Sequence, residues 1–267
     1  MIKTKRVILE SELIEKEWLN SSYYRLRFLA PEIVSVCQPG QFVNVRFSHF
    51  SEPLLRRPLS IFRCHSKEGW LEFLVKVIGK GTKLFSQAEP GASFDLLGPL
   101  GHGFEYQKNQ PAILVGGGIG IAPLVFLAEV LHQQKTELVF LQGFRTAAEI
   151  CCINEVKQLA RLFIVTTDDG SYGLRGLVTD RLLAILQAEP DLKRSVIYAC
   201  GPTPMLRAIS VICNQLNLAA QFSLEAYMAC GFGACVGCAV PASNHSEYRL
   251  VCVDGPVFHE REIDFGS

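Results

Sequence analysis

The stretch PAILVGGGIGIAPLVFLA, residues 111–128, carries no charge over eighteen positions. Its length alone would suit a membrane span. However, Gly116, Gly117, Gly118, Gly120 and Pro123 crowd its middle. That punctuation fits a buried strand over Ala112–Val115, a glycine turn, then a helix over Leu124–Gln133 much better than a lipid-exposed helix. Further strands are expected at Glu137–Leu141, Leu162–Thr166, Ser195–Ala199 and Gln221–Leu224. Helices are expected at Asn154–Leu159, Leu177–Leu186 and Pro204–Leu216. This β–α alternation implies a parallel sheet covered on both faces.

Upstream the pattern changes. Lys5–Leu13, Tyr23–Leu29, Gln41–Phe47, Leu59–Arg63, Trp70–Ile78 and Phe94–Leu97 read as short strands. Pro31, Pro39-Gly40, Lys67-Glu68-Gly69 and Pro90-Gly91 punctuate them. Six such strands suggest a closed antiparallel barrel, with one short helix through Thr82–Phe85. The expected organisation is a barrel over residues 1–105, a parallel α/β domain over 106–225 and a small lobe over 226–267.

Composition narrows the function. Apolar residues make up 49% of the 267, enough for sizeable cores. Charge balances at 26 basic and 26 acidic residues, and no basic tract would track a phosphate backbone, which argues against nucleic acid. The first ten residues hold too short an apolar run for a signal-peptide core. Ten cysteines without such a signal point to a reducing cytoplasm. The six histidines, His49, His65, His102, His132, His245 and His259, are isolated, and no acid–base constellation accompanies them.

The lobe carries the sharpest chemistry. Cys230, Cys235, Cys238 and Cys252 read C-x4-C-x2-C, thirteen residues, then C. That is the order in which four thiolates hold a [2Fe–2S] cluster in plant-type ferredoxins. Zinc also takes four thiolates, but favours two short knuckles, whereas here the last ligand is single and distant. Cys37, Cys64, Cys151, Cys152, Cys200 and Cys213 lack ligand spacing and read as buried small hydrophobes.

Four softer motifs precede it. Arg57-Pro58-Leu59-Ser60, after Arg56, could clamp a pyrophosphate and bond a ring edge, or form a charged barrel rim. Gly81-Thr82, after a strand ending near Lys76, could meet a phosphate at a helix start or simply cap it. Gly116, Gly117, Gly118 and Gly120 lie at a strand's C-terminal end, where α/β sheets bind nucleotides, but they do not spell G-x-G-x-x-G. The usual ribose-binding acid is replaced by Gln142-Gly143-Phe144-Arg145. Cys200-Gly201-Pro202 ends another parallel strand, and Thr167-Asp168-Asp169-Gly170-Ser171 faces the same edge or forms a solvated turn.

The order of these motifs resembles the ferredoxin–NADP reductase superfamily, and the cysteine lobe after Ser223-Leu224-Glu225 looks like the electron-transfer subunits of type B dihydroorotate dehydrogenases. The resemblance implies that Arg57, Pro58, Leu59 and Ser60 contact FAD. It places Leu74, Val75 and Lys76 beside the FAD and gives its pyrophosphate to Gly81 and Thr82. Gly116, Gly117, Gly118, Gly120, Cys200, Gly201 and Pro202 would form the NAD(H) site, and the four lobe cysteines the cluster. It further implies a partner, an FMN-containing dihydroorotate dehydrogenase catalytic subunit, in a complex with two copies of each chain. A related ferredoxin- or sulfide-linked NAD(P)H oxidoreductase subunit is the alternative. The charged pair that such chains tend to carry after Ser-Leu-Glu is here Ala226-Tyr227, which bears on the lobe surface.

Overall fold

The computed structural model describes residues 6–48, 54–244 and 246–265. Lys5, His49 and His245 lie outside these. Six strands form a barrel: β1 (Val7–Trp18), β2 (Tyr23–Leu29), β3 (Phe42–Phe47), β4 (Arg57–His65), β5 (Trp70–Lys76) and β6 (Ser93–Leu100). They close in the order β1-β2-β5-β4-β3-β6, every pair antiparallel. Period-two alternation turns Leu26, Phe28, Val43, Val45 and Phe73 inward. The short helices α1 (Pro31–Val34) and α2 (Lys80–Phe85) flank the barrel. Phe85 of α2 packs edge-on against Phe47 and Phe94 inside it.

β1 runs five residues past its expected end. It pairs with β6 over Val7–Glu12 and, beyond an irregularity at residue 14, with β2 up to Trp18. Glu15, Lys16 and Glu17 there carry no apolar alternation, so pairing rather than pattern makes them a strand.

The second sheet contains β7 (Ala112–Gly117), β8 (Leu138–Phe144), β9 (Leu162–Thr167), the two-residue β10 (Leu174–Arg175), β11 (Val196–Cys200) and β12 (Ala220–Ser223). Helices α3 (Ile121–Gln133), α4 (Ile153–Lys157), α5 (Val178–Ala188) and α6 (Thr203–Leu216) connect them. α3 starts three residues earlier than expected, because Pro123 falls in its first turn, where no N–H is needed. In the lobe, β13 (Ala239–Pro241) and β14 (Tyr248–Leu250) form a hairpin. β15 (Val257–His259) joins the large sheet antiparallel to β12, giving the order β10-β9-β8-β7-β11-β12-β15. The lobe is thus stitched to the parallel sheet.

Barrel and sheet share a packed seam. Phe126 of α3 is buried in the barrel cluster, while Tyr23, Phe62 and Leu74 of the barrel are buried in the sheet's cluster. Phe126→Ala should therefore destabilise the chain by about 3–5 kcal/mol, since the cavity opens between two rigid elements. A shift of the urea midpoint corresponding to less than about 1 kcal/mol would contradict that seam.

Ion pairs line the same boundary: Arg25 to Glu155 at 3.2 Å and Arg63 Nε to Glu129 at 2.6 Å. Burial holds the Glu129 carboxyl above its ordinary value of 4.5 despite Arg63. Its folded pKa therefore exceeds its unfolded one. The folded state keeps a proton that the unfolded chain has lost, so this group's contribution declines as pH rises above about 4.5. Glu129→Gln should flatten that part of the stability profile, read as urea midpoints at pH 5 and pH 7.5. An unchanged slope would refute the assignment.

Candidate functional site

The first part of the site is a split in the barrel. β4 pairs with β3 from Arg57 to Ser60, but with β5 only from Ile61 onward, where Ile61 meets Phe73. Leu74, Val75 and Lys76 of β5 pair with β2 alone. Arg57–Ser60 and Leu74–Lys76 therefore face one another across a seam with no ladder bonds. Unpaired strand edges need partners, and a planar heterocycle with ring nitrogens and carbonyls can supply them. The residues fit a flavin.

Neighbouring side chains are disposed to match. Arg56 turns away, giving Nε to Asp95 Oδ1 at 3.0 Å and Nη2 to Oδ2 at 2.6 Å. Arg57 projects the other way and lies across Gly81, where an added Cβ would sit 2.4 Å from its Nε. Thr82 Oγ1 accepts the N–H groups of Ile78 and Gly79 at 3.0 and 3.2 Å. Its hydroxyl thus reaches back from the third residue of α2 to the N-cap, which is Gly79 rather than Thr82. Tyr24 donates its phenol O–H to the Thr82 carbonyl and pins the same turn.

The second part is a cavity of about 390 Å³ at the C-terminal ends of the parallel strands. The order β9-β8-β7-β11-β12 reverses direction between β7 and β11, and Gly116 stands opposite Cys200 in register there. This is the switch point at which open α/β sheets bind ligands. Gly117, Gly118, Gly120, Gly201 and Pro202 line it; Gly116 and Cys200 lie buried behind. Burial raises the Cys200 thiol, as does the nearby Glu225 charge, against a hydrogen bond to Ser223. Arg145 and Asp168 reach the cavity. Asp169 instead accepts the N–H and hydroxyl of Ser171 at 2.9 and 2.6 Å, which lowers its pKa.

Sequence reasoning missed Glu149 as a wall residue, since it belongs to no recognisable motif; Met205, the last residue of the motif that starts at Cys200, lines the wall as well. It named Glu225 without giving it a place. That carboxyl is solvent-exposed and opens onto the cavity, and desolvation by the protein around it raises its pKa. Lys76 joins the two parts: it ends the unpaired edge of β5, lines the cavity, and reaches Glu149 Oε1 at 3.1 Å.

The third part is the lobe. Cys238 and Cys252 flank the β13–β14 hairpin, which brings their sulfurs to 3.2 Å, both buried. On the preceding loop the Cys235 N–H donates to Cys230 Sγ at 3.4 Å. Burial would raise the Cys230 thiol, but hydrogen bonds from the Phe232, Cys235 and Ala234 backbones and the Cys235 side chain bring it down to about 6. Burial and the Cys238 neighbour push Cys252 up to about 12. Among the described residues no three His, Cys, Asp or Glu side chains converge on one point for a single ion. The thiols instead form two pairs, which suits two irons with two thiolates each, and N–H groups already aimed at sulfur favour the thiolate form. Of the six other cysteines, Cys151, Cys152, Cys200 and Cys213 are buried as expected, while Cys37 and Cys64 are half-buried.

Joining a two-electron nucleotide site to a one-electron thiolate cage is the work of flavin-dependent oxidoreductases of the ferredoxin–NADP reductase class, and the fold is of that class. The family model for the oxidoreductase FAD-binding domain matches residues 10–106, and that for the oxidoreductase NAD-binding domain residues 114–210. The model for the iron–sulfur cluster binding domain of dihydroorotate dehydrogenase B matches residues 225–264. The dihydroorotate dehydrogenase B (NAD(+)) electron transfer subunit of Geobacillus kaustophilus is 40% identical over 268 residues, covering 98% of this chain and 99% of its own. That of Desulforamulus reducens is 36% identical over 260 residues, covering 96% and 98%. A solved structure of an NADH-dependent reduced ferredoxin–NADP oxidoreductase superposes with a TM-score of 0.85 at 31% identity, covering 96% of this chain and 90% of that one. A ferredoxin–NADP+ reductase from Neisseria gonorrhoeae, solved with FAD and NADP, shares the fold at 18% identity, with a TM-score of 0.66 over 78% of this chain and 91% of its own. The chain belongs to the family of electron transfer subunits of NAD+-dependent dihydroorotate dehydrogenase B, with FAD-, NAD- and iron–sulfur-binding domains.

Proposed function

We propose that the sheet cavity, the barrel split and the paired thiols are successive stations on one electron path through this chain. The observation that carries this reading is their adjacency. β3 carries the lobe on its outer face through Phe42, which packs with Cys238 and Cys252. On its other edge it pairs with Arg57–Ser60, and Lys76, across the split, lines the cavity. FAD supplies the conversion between hydride and single electrons that neither nicotinamide nor cluster can make alone.

The chain's residues take these roles. Arg57 offers a guanidinium to the pyrophosphate of FAD beside Gly81 and Thr82. Pro58, Leu59 and Ser60, with Leu74, Val75 and Lys76, frame its ring. Gly116, Gly117, Gly118, Gly120, Cys200, Gly201 and Pro202 form the wall and floor for the nicotinamide nucleotide. Arg145 and Asp168, of opposite charge, both line the same cavity. Cys230 with Cys235, and Cys238 with Cys252, hold the two irons. The domain limits 1–105, 106–225 and 226–267 follow the same division of labour.

The partner is an FMN-bearing subunit that oxidises dihydroorotate to orotate in pyrimidine synthesis, assembled two and two in the cytoplasm. It docks on the lobe, where Tyr227, Val236, Tyr248 and Phe232 are exposed by 98, 60, 71 and 44%. No described helix is long and apolar enough to cross a membrane. The test is recovery of the native complex, cofactor analysis and an assay of dihydroorotate-dependent NAD+ reduction. Orotate formed in step with NADH supports the reading. The likeness to the NADH-dependent ferredoxin–NADP oxidoreductase favours one second reading, exchange with ferredoxin. Activity with ferredoxin and none with dihydroorotate would establish it.

A further inference from the structure

Asn44 is out of keeping with its strand. Phe42, Val43, Val45 and Phe47 surround it on β3, and it is fully buried. Its Oδ1 has no hydrogen-bond partner among the described residues. A buried amide oxygen without a partner is costly, and an apolar residue would avoid that cost. Its Nδ2, however, donates to the carbonyl oxygen of Cys230 at 3.3 Å, linking strand and loop across 186 positions of sequence.

The next residue shows how close this contact is. Gly231 has φ +77°, and a Cβ there would lie 2.1 Å from Asn44 Nδ2 and 3.2 Å from Leu100 Cδ1. The loop rests on the amide without space for a methyl group. In the barrel ladder Asn44 stands opposite Pro58 on one side and Leu97 on the other. Leu97 and Phe42 pack in the cluster that contains Cys238 and Cys252. One strand spacing therefore separates the amide that holds the cysteine loop from the Arg57–Ser60 segment.

We propose that Asn44 is a positioning residue: it fixes the Cys230 side of the thiolate cage against the flavin-facing strand pair and thereby sets the electronic coupling between the two centres. This rests on the functional reading above. Nothing in the geometry connects Asn44 to the sheet cavity, so NADH oxidation at the flavin is separable from the onward step.

The experiment uses the full chain loaded with FAD and cluster. Stopped-flow absorbance after mixing with NADH resolves flavin reduction from cluster reduction, and electron paramagnetic resonance records the reduced cluster. In Asn44→Ala, flavin reduction should stay within twofold of wild type. Flavin-to-cluster transfer should slow at least tenfold, and the cluster's g-values should shift. Gly231→Ala, which displaces the same contact from the loop side, should give the same spectroscopic shift. It also keeps the test open if Asn44→Ala holds too little cluster. Wild-type transfer and an unchanged spectrum in either variant would overturn the proposal, as would equal slowing of both steps in Asn44→Ala. Wild-type protein whose cluster NADH never reduces, although its measured potential lies above that of NADH, would overturn the functional reading itself, and the proposal with it.

Discussion

Cys238→Ser should abolish delivery of electrons to a partner while leaving NADH oxidation by an artificial acceptor at the flavin intact. Cys238 and Cys252 are each under 3% exposed, and their sulfurs meet at the base of the β13–β14 hairpin. Serine keeps the volume and removes the thiolate, so half of one iron's protein ligation is lost. Changes to residues that merely support a ligand cost 10- to 100-fold, so removal of a ligand should exceed about 100-fold in cross-subunit turnover. Acid-labile sulfide and visible absorbance report the cluster, and flavin content is read separately. Unaltered cross-subunit turnover would show that the cage does not lie on the electron path. Loss of flavin along with the cluster would show that lobe and barrel do not hold their cofactors independently.

Gly120→Ala should damage the other end of the path. A Cβ at this position would lie 2.4 Å from the Cys200 carbonyl oxygen, 2.5 Å from its carbon and 2.7 Å from the Gly201 nitrogen. All three are backbone atoms, so no side chain can swing aside. The start of α3 must move away from the end of β11, and the cavity lies between them. Overpacking of this kind costs about 1–3 kcal/mol. Taken from NADH binding, that is roughly a 5- to 150-fold rise in the concentration needed for half-maximal flavin reduction. FAD and cluster content should not change. An NADH titration indistinguishable from wild type would remove this loop from the nucleotide site.

How much of this was legible in the sequence follows from how local each signal is. The six barrel strands and the five principal strands of the sheet were readable because apolar alternation or apolar runs mark them, with glycine and proline between. β10, β13, β14 and β15 were not, since two or three residues cannot establish a period. β15 owes its existence to pairing with β12, a contact no window of sequence contains. The four cysteines proposed as cluster ligands stand out by their spacing, but their division into two pairs depends on the hairpin. The split between Arg57–Ser60 and Leu74–Lys76 was not visible, because both segments look like ordinary strand and only the end of the ladder at Ile61 and Phe73 reveals it. Glu149 enters the cavity wall from a three-residue helical turn, Ala147–Glu149, too short to show a period, and Asn44 looks like an isolated polar residue until Cys230 is seen beside it.

The most direct test of the path is a single anaerobic mixing of NADH with the oxidised, fully loaded chain, followed at flavin and cluster wavelengths together. The account predicts that flavin absorbance falls first, that the cluster bleaches afterwards at a rate independent of NADH concentration, and that chain stripped of FAD shows neither change. Cluster bleaching without FAD, or a flavin that NADH reduces beside a cluster that stays oxidised although its potential lies above the flavin's, would contradict it.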